Sequence, residues 1–420
     1  MTPAEARALY EFIDREVDAA AGGSTGFSVL LASQPFRPGV EALAGYAARH
    51  APIRRLQERA LGLFAASLRG DADPELAAMV LGDAPPHLGL AYHRGLAPAH
   101  MKPPLFFRTD EPATGRIAEI QCPGSAWSSH DQLRALYAAH GSRLGGAEIG
   151  GASVAERFAQ DAAQAAGAAP VVHHLIDNAS VPAGARYFIQ KTRAAGVRYF
   201  GWDRGIHWRD CNLVRSHDWT SLANDNFHRE RLAACAEGRL RYDLSPCALF
   251  DSKLVLALPF EPRWRESFDD EIRAILPYAQ IVRPDGMVWR DGSALSIERI
   301  CAERALRTQM YVKYAGTDQA FNWGSRAVFY LGSMQPKACG KLFERIQADT
   351  ARGRHWILQE QRREACNMSF YTRDGELQEK SGYRKTSAFY GPSGLYGVLA
   401  YALRFPKVHG TPETVASIAI

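Results

Sequence analysis

Residues 106–124 read FFRTDEPATGRIAEIQCPG, and the rest of the chain is understood from them. The stretch has the pattern of two short strands and a turn. Phe106, Phe107 and Arg108 are extended and partly apolar. Glu111-Pro-Ala-Thr-Gly115 carries turn chemistry: Pro112 fixes φ, and Gly115 is free to take positive φ. From Arg116 to Cys122 the residues alternate, with Ile117, Glu119 and Gln121 on one face and Ala118, Ile120 and Cys122 on the other. Pro123-Gly124 ends the second strand. Asp110 closes the first strand, and Glu119 and Gln121 project the same way from the second. Three oxygen donors thus converge on one patch beside Arg108. Hard oxygen donors in that number suit Mg²⁺, which keeps part of its water shell and takes further oxygens from phosphates. Cys122 points away from them and reads as structural. The plainer reading of the same residues is a polar-faced hairpin with an Arg108–Asp110 ion pair.

The totals set the frame. A chain of 420 residues predicts two or three domains with ample core. With 46% hydrophobic and 23% charged residues, the composition is that of a soluble globular protein. The net charge of +5 is mild and no long Lys/Arg run exists, so neither a nucleic acid nor a membrane is an expected partner. A modest positive balance suits small anionic ligands. The seven cysteines are scattered and none forms C-x-x-C, which argues against a zinc site or a disulfide framework. Without a signal peptide or a long apolar span, the expected location is cytoplasmic.

Residues 1–100 read as a helical region. Thr2-Pro3-Ala4-Glu5 is a capping box, and Leu9, Phe12, Ile13 and Val17 make a buried stripe. His87 and His93 read as packing or surface histidines rather than a metal pair. Residues 101–150 hold the hairpin, and the Gly-rich run at 144–151 marks a boundary. Residues 151–245 read as a small α/β domain: a β-branched run at 170–176, a helix over 183–195 and a strand at 197–202 make a βαβ unit. It lacks G-x-G-x-x-G, so no dinucleotide site is assigned. The polar, aromatic stretch 203–228 reads as either a substrate pocket or a solvated loop.

Residues 246–420 carry a second set of signals. Asp251 caps a short helix with Lys253 in its first turn, and 274–282 reads as a strand. Tyr311 to Gly316 is a strand bearing Lys313, followed by a Gly/Ser-containing loop whose N–H groups suit phosphate. An amphipathic helix (Leu342, Phe343, Ile346) leads to the strand His355–Gln361. Met368–Tyr371 and Leu377–Lys385 read as a further strand pair of that sheet. Tyr390-Gly-Pro-Ser-Gly394 reads as a tight loop opening a final helix, Leu395–Leu403, before a short tail. Taken singly, these segments also fit an ordinary hairpin with a surface lysine and a plain edge strand.

R-x-D, a turn and E-x-Q-x-P-G resemble the metal-binding hairpin of the ATP-grasp ligases. The order of hairpin first and lysine strands later is similar to the circularly permuted, glutathionylspermidine synthetase-like group. The resemblance implies an α/β (α+β) fold: an ATP-grasp nucleotide module in permuted order, a small βαβ pre-grasp domain and the helical N-terminal region. It implies ATP and two Mg²⁺ as cofactors, with Asp110, Glu119 and Gln121 as metal ligands. Gln121 departs from the usual Asn by one methylene. Arg108 is implied as a phosphate or acyl-phosphate contact. Lys253, Lys313, Gly324 and Ser325 are implied at the phosphates, with Arg326 as an added clamp. Gln359, Glu360 and Gln361 are implied at the adenine and ribose. Arg384, with Lys385, is implied where an anionic intermediate needs charge. The implied reaction is ATP-dependent joining of a small-molecule carboxylate and an amine through an acyl phosphate. A kinase, a ligase using a thiol or hydroxyl acceptor, and a nucleotide-binding protein without turnover are the other activities such a scaffold hosts.

Overall fold

The computed structural model describes residues 2–21, 29–122, 126–141, 152–167, 169–175, 183–200, 208–216, 219–223, 227–322, 326–407 and 411–420. Pro123-Gly124, the Gly-rich boundary up to Gly151, the turn at 178–182, Gly324, Ser325 and residues 408–410 lie outside them, as does the side chain of Val17.

The first hundred residues are largely helical. Thr2 N donates to Glu5 Oε2 at 2.9 Å and Glu5 N donates to Thr2 Oγ1 at 3.3 Å, the reciprocal cap that opens the helix Pro3–Ala21. Helices Val40–Ala48, His50–Arg69 and Glu75–Leu81 follow, and Tyr46, Leu56, Leu61 and Phe64 enter the main core. One strand interrupts them: β1 (Leu30–Ala32) lies in a stretch expected to be helical.

That strand belongs to a seven-stranded sheet. Its order is β14 (Glu364–Tyr371), β1, β17 (Val415–Ile418), β16 (Gly394–Leu403), β15 (Leu377–Gly391), β2 (Phe107–Glu111) and β3 (Glu119–Gln121). β14 also pairs with β15, so five of these strands close on themselves as a small barrel. The long β15 makes this possible. Residues Leu377–Arg384 pair with β14, and Thr386–Tyr390 pair with β2. Three expectations are corrected here. Residues 395–403 form β16, not a helix, because Gly391 to Gly394 turns the chain back into an antiparallel hairpin, with Gly394 at φ 114°. The tail supplies β17. The β14–β15 pair joins this sheet and not the one that carries His355–Gln361.

The second sheet is antiparallel, ordered β12 (Val328–Tyr330), β11 (Met310–Tyr314), β13 (Trp356–Glu360) and β8 (Ala279–Ile281). The helix Pro336–Thr350 covers its back with Leu342, Phe343 and Ile346, at the helical spacing the sequence shows. A two-residue pair, β9 (Met287–Val288) and β10 (Ala294–Leu295), adjoins it. The third sheet is all parallel: β5 (Arg198–Phe200), β4 (Val171–Leu175), β6 (Leu213–Ser216) and β7 (Arg241–Tyr242). The helix Ala183–Ala194 connects β4 to β5, the βαβ unit expected there. Trp208 and Trp219, in the stretch read as a pocket or a solvated loop, are buried in the main core instead. His93 is a packing histidine: Ala248 N donates to its Nε2 at 3.1 Å, and burial pushes its pKa down to about 4. No described helix is long and apolar enough to cross a membrane.

Candidate functional site

The hairpin of β2 and β3 forms as its alternation requires. Asp110 lies directly opposite Glu119, and Arg108 opposite Gln121, so all four share one face. The plain reading is realised as well. Arg108 grips Asp110 through Nε–Oδ1 at 2.9 Å and Nη2–Oδ2 at 3.2 Å, and both residues are buried. Lys385 Nζ, from β15, and Ser387 Oγ each donate to Asp110 at 2.8 Å. Burial alone would raise this carboxyl's pKa. Arg108 and Lys385 overcome that and hold it well below the usual carboxylate range.

Glu119 meets Lys253 Nζ at 3.3 Å. Lys253 sits in a 3-10 turn (Lys253–Leu256) that is capped by Ser252 Oγ, not by Asp251. Its ammonium also donates to Asn322 Oδ1. Burial pushes Glu119 toward protonation, and Lys253, Lys313 and Lys385 outweigh it, so its pKa is lowered. Lys313 comes from the central strand β11 of the second sheet. Its Nζ donates to the carbonyl of Ala118 at 2.9 Å. Burial pushes its pKa down to about 8. Glu119 and Asp110 oppose this shift, while Lys253 and Lys385 add to it.

The two sheets therefore face each other across a cleft. Asp110, Glu119 and Lys385 line one wall, and Tyr311, Lys313 and Gln359 the other. Gln359 lies beside Tyr311 on the paired strand, and its Nε2 is buried without a hydrogen-bond partner among the described residues. Glu360 also lines the cleft and pairs with Arg290 and, at 2.9 Å, with Arg362. The backbone donors of Glu360 and Gln361, two of the residues implied at the adenine and ribose, are committed within the protein: Glu360 N donates to Tyr278 O at 2.7 Å and Gln361 N to Gln309 O at 2.6 Å. Arg326 is exposed on the turn before β12 and is not among the cleft-lining residues.

Arg384 is a correction. Side chains alternate along β15, so Lys385 and Ser387 reach Asp110 while Arg384 points to the opposite face. There it pairs with Glu364 and stacks 4.2 Å from the Phe36 ring centroid. Its neighbour Lys385 is the one that lines the cleft. The only sequence signal that would separate the two is register with β2, and that depends on a contact between residues far apart in the chain.

At the cleft, Arg108, Lys253, Lys313 and Lys385 cluster around Asp110 and Glu119, while the third carboxylate, Glu360, is paired with Arg290 and Arg362. An excess of buried positive charge favours an anionic ligand. No group of three or more His, Cys, Asp or Glu among the described residues has a metal-binding arrangement. Two ionised carboxylates suit Mg²⁺ when a bound phosphate and water complete its shell.

Two facing sheets with lysines and carboxylates between them make a mixed α/β, ATP-grasp-like fold. Over 98% of this chain and 96% of the other, the protein matches the structure of a glutathione synthetase-like effector from Globodera pallida in its apo form, with a TM-score of 0.55 and 13% sequence identity. At that identity the likeness is one of fold. No protein-family model matches the chain, and no curated protein sequence matches it.

Proposed function

We propose that the protein is an ATP-dependent carboxylate–amine ligase of the circularly permuted ATP-grasp type. The observation that carries this reading is the cluster of Arg108, Lys253, Lys313 and Lys385 around Asp110 and Glu119 between two sheets. The donor set fits the cofactors. Asp110 and Glu119 would hold Mg²⁺, with Gln121 beside them, and Lys253, Lys313 and Lys385 would hold the nucleotide phosphates. The nucleotide supplies a transferable phosphoryl group. In this reading the substrate carboxylate takes that group to form an acyl phosphate. An amine then displaces phosphate to form an amide. Phosphoryl transfer needs positioning and charge neutralisation more than a protein nucleophile, and this cluster offers both. Gln359, whose buried Nε2 has no hydrogen-bond partner among the described residues, would meet the base or ribose.

The test is calorimetric titration with a non-hydrolysable ATP analogue, with and without Mg²⁺, followed by ADP and phosphate release on pools of acids and amines. Release of both products only when an acid and an amine are present supports the ligase. ADP without free phosphate supports a kinase. Binding without turnover on any pool indicates a nucleotide-binding protein that has lost catalysis, and no binding at all sinks the reading.

A further inference from the structure

The barrel mouth on the far side of β15 holds a second cavity, of about 410 Å³. That volume lies in the range of small-molecule sites. The strand register assigns its side chains. Cys366 and Met368 of β14, Ala402 of β16 and Val415 of β17 line an apolar wall, and the segment Ala32–Arg37 crosses the rim. Arg384 projects into this cavity over Phe36. One edge of its guanidinium pairs with Glu364, and its Nε is buried without a hydrogen-bond partner among the described residues. A buried charged donor without an acceptor is costly, and a guanidinium edge matches a carboxylate. Glu364 beside it leaves room for one further negative charge but disfavours a dianion.

Glu364 has a second partner. Thr114 Oγ1 donates to its Oε2 at 3.0 Å and Thr114 N at 3.3 Å, so the same carboxylate holds the turn of the β2–β3 hairpin. Arg384 and Lys385 are neighbours on one strand, one serving the barrel mouth and the other the cleft.

We propose that the barrel mouth is a second ligand site, for a small carboxylate-bearing molecule of amino-acid to dipeptide size with an apolar group. Its carboxylate docks on Arg384, its apolar part on Met368, Ala402 and Val415. By sharing Arg384 with Glu364 it weakens the anchor that positions this carboxylate against Thr114, so occupancy is felt at the hairpin that carries Asp110 and Glu119. This site goes beyond the ligase reading and stands without it.

Cys366 offers a local readout on the intact protein. The rate of its alkylation by iodoacetamide, followed by peptide mass mapping, is measured with N-acetyl-L-valine, with neutral N-acetyl-L-valinamide and with inorganic phosphate. Millimolar affinity is enough to see, so each probe is taken to about 10 mM. The carboxylate is expected to slow Cys366 alkylation at least about fivefold, the free-fraction arithmetic for a site with Kd near 2 mM. It is also expected to speed amide hydrogen exchange over residues 112–116. Arg384→Gln abolishes the protection. Because that change strands Glu364, the double variant Arg384→Gln/Glu364→Gln serves as the folded control and must lose protection too. No protection by the carboxylate, or equal protection by the amide or by phosphate, overturns the site. Protection with unchanged exchange at 112–116 overturns the coupling.

Discussion

Lys313 Nζ donates to the carbonyl of Ala118 at 2.9 Å, tying the central strand of one sheet to the hairpin of the other across the cleft. Ala118 directly precedes Glu119, so this bond also fixes the approach of a carboxylate. A phosphate competing for the same ammonium would exchange a contact between sheets for a contact with ligand.

Lys313→Ala is expected to weaken binding of an ATP analogue by about 10- to 150-fold, the loss of one charge-assisted hydrogen bond worth about 1.5–3 kcal/mol. Calorimetry on the folded variant checks it. Unchanged affinity would remove Lys313 from the site.

The low pKa of Lys313, about 8, has a definite sign. In the free protein its ammonium loses the proton as pH rises through about 8. Bound phosphate favours the charged form and raises that pKa. Analogue affinity is therefore expected to fall above pH 8, and binding there takes up protons. Titration in two buffers of different ionisation enthalpy reads the uptake directly. The same group shapes stability. Between about pH 8 and its ordinary value of 10.5 the unfolded chain holds a proton that the folded protein lacks, so its contribution to stability rises with pH. Lys313→Met should flatten that rise in thermal melts.

The two carboxylates should behave differently when neutralised. Glu119→Gln is expected to abolish the gain in analogue affinity with Mg²⁺ and to cost less stability than Asp110→Asn, because the Glu119 side chain is 22% exposed and makes one ion pair where Asp110 makes two. Asp110→Asn strands the buried Arg108 and should cost about 3–5 kcal/mol of stability. Equal loss of stability in both variants would contradict this division. Asp110's depressed pKa places its own contribution above the ordinary carboxylate range, to be lost as pH falls through and below it.

Two glycines test the packing. A Cβ on Gly82 would clash with the carbonyl oxygen of Gly353, and next to it Asp83 accepts from Thr317 N at 2.9 Å and Asp318 N at 3.0 Å, just beyond β11. Gly82→Ala should cost about 1–3 kcal/mol. Gly340, in the helix Pro336–Thr350, has nothing within 4 Å of its would-be Cβ. Gly340→Ala should stabilise by about 0.5–1 kcal/mol. Denaturant melts of both variants check the pair of signs.

The features legible in sequence are those set by local rules. The β2–β3 hairpin announces itself through alternation around a Pro/Gly turn. The helix Pro336–Thr350 shows its buried face at helical spacing, and the β4–β5 unit follows from a β-branched run, a helix and a second strand. What escaped depends on partners far along the chain. Leu395–Leu403 is apolar on both faces because helices and barrel interior flank it, so the two-residue alternation that marks a half-buried strand is missing. β1 is three residues long, with no periodicity to detect. Gln359 and Lys253 are visible as residue types, but their meeting with Glu119 and Lys313 is a product of two sheets closing. The choice between Arg384 and Lys385 is a matter of parity, which a single register contact sets.

The barrel also imposes an order of events on the growing chain. β1 is flanked by β14 and β17: Leu31 pairs with Tyr371 on one side and with Ala416 on the other. Both partners emerge hundreds of residues later. During synthesis Leu30–Ala32 therefore waits without its strand partners until Val415–Ile418 has emerged, and the helices and the parallel sheet can form before it. Closure of the barrel is then a late and slow step dominated by sequence-distant pairing. Because β15 belongs both to the barrel and to the wall of the cleft, the candidate site matures only when that closure is complete.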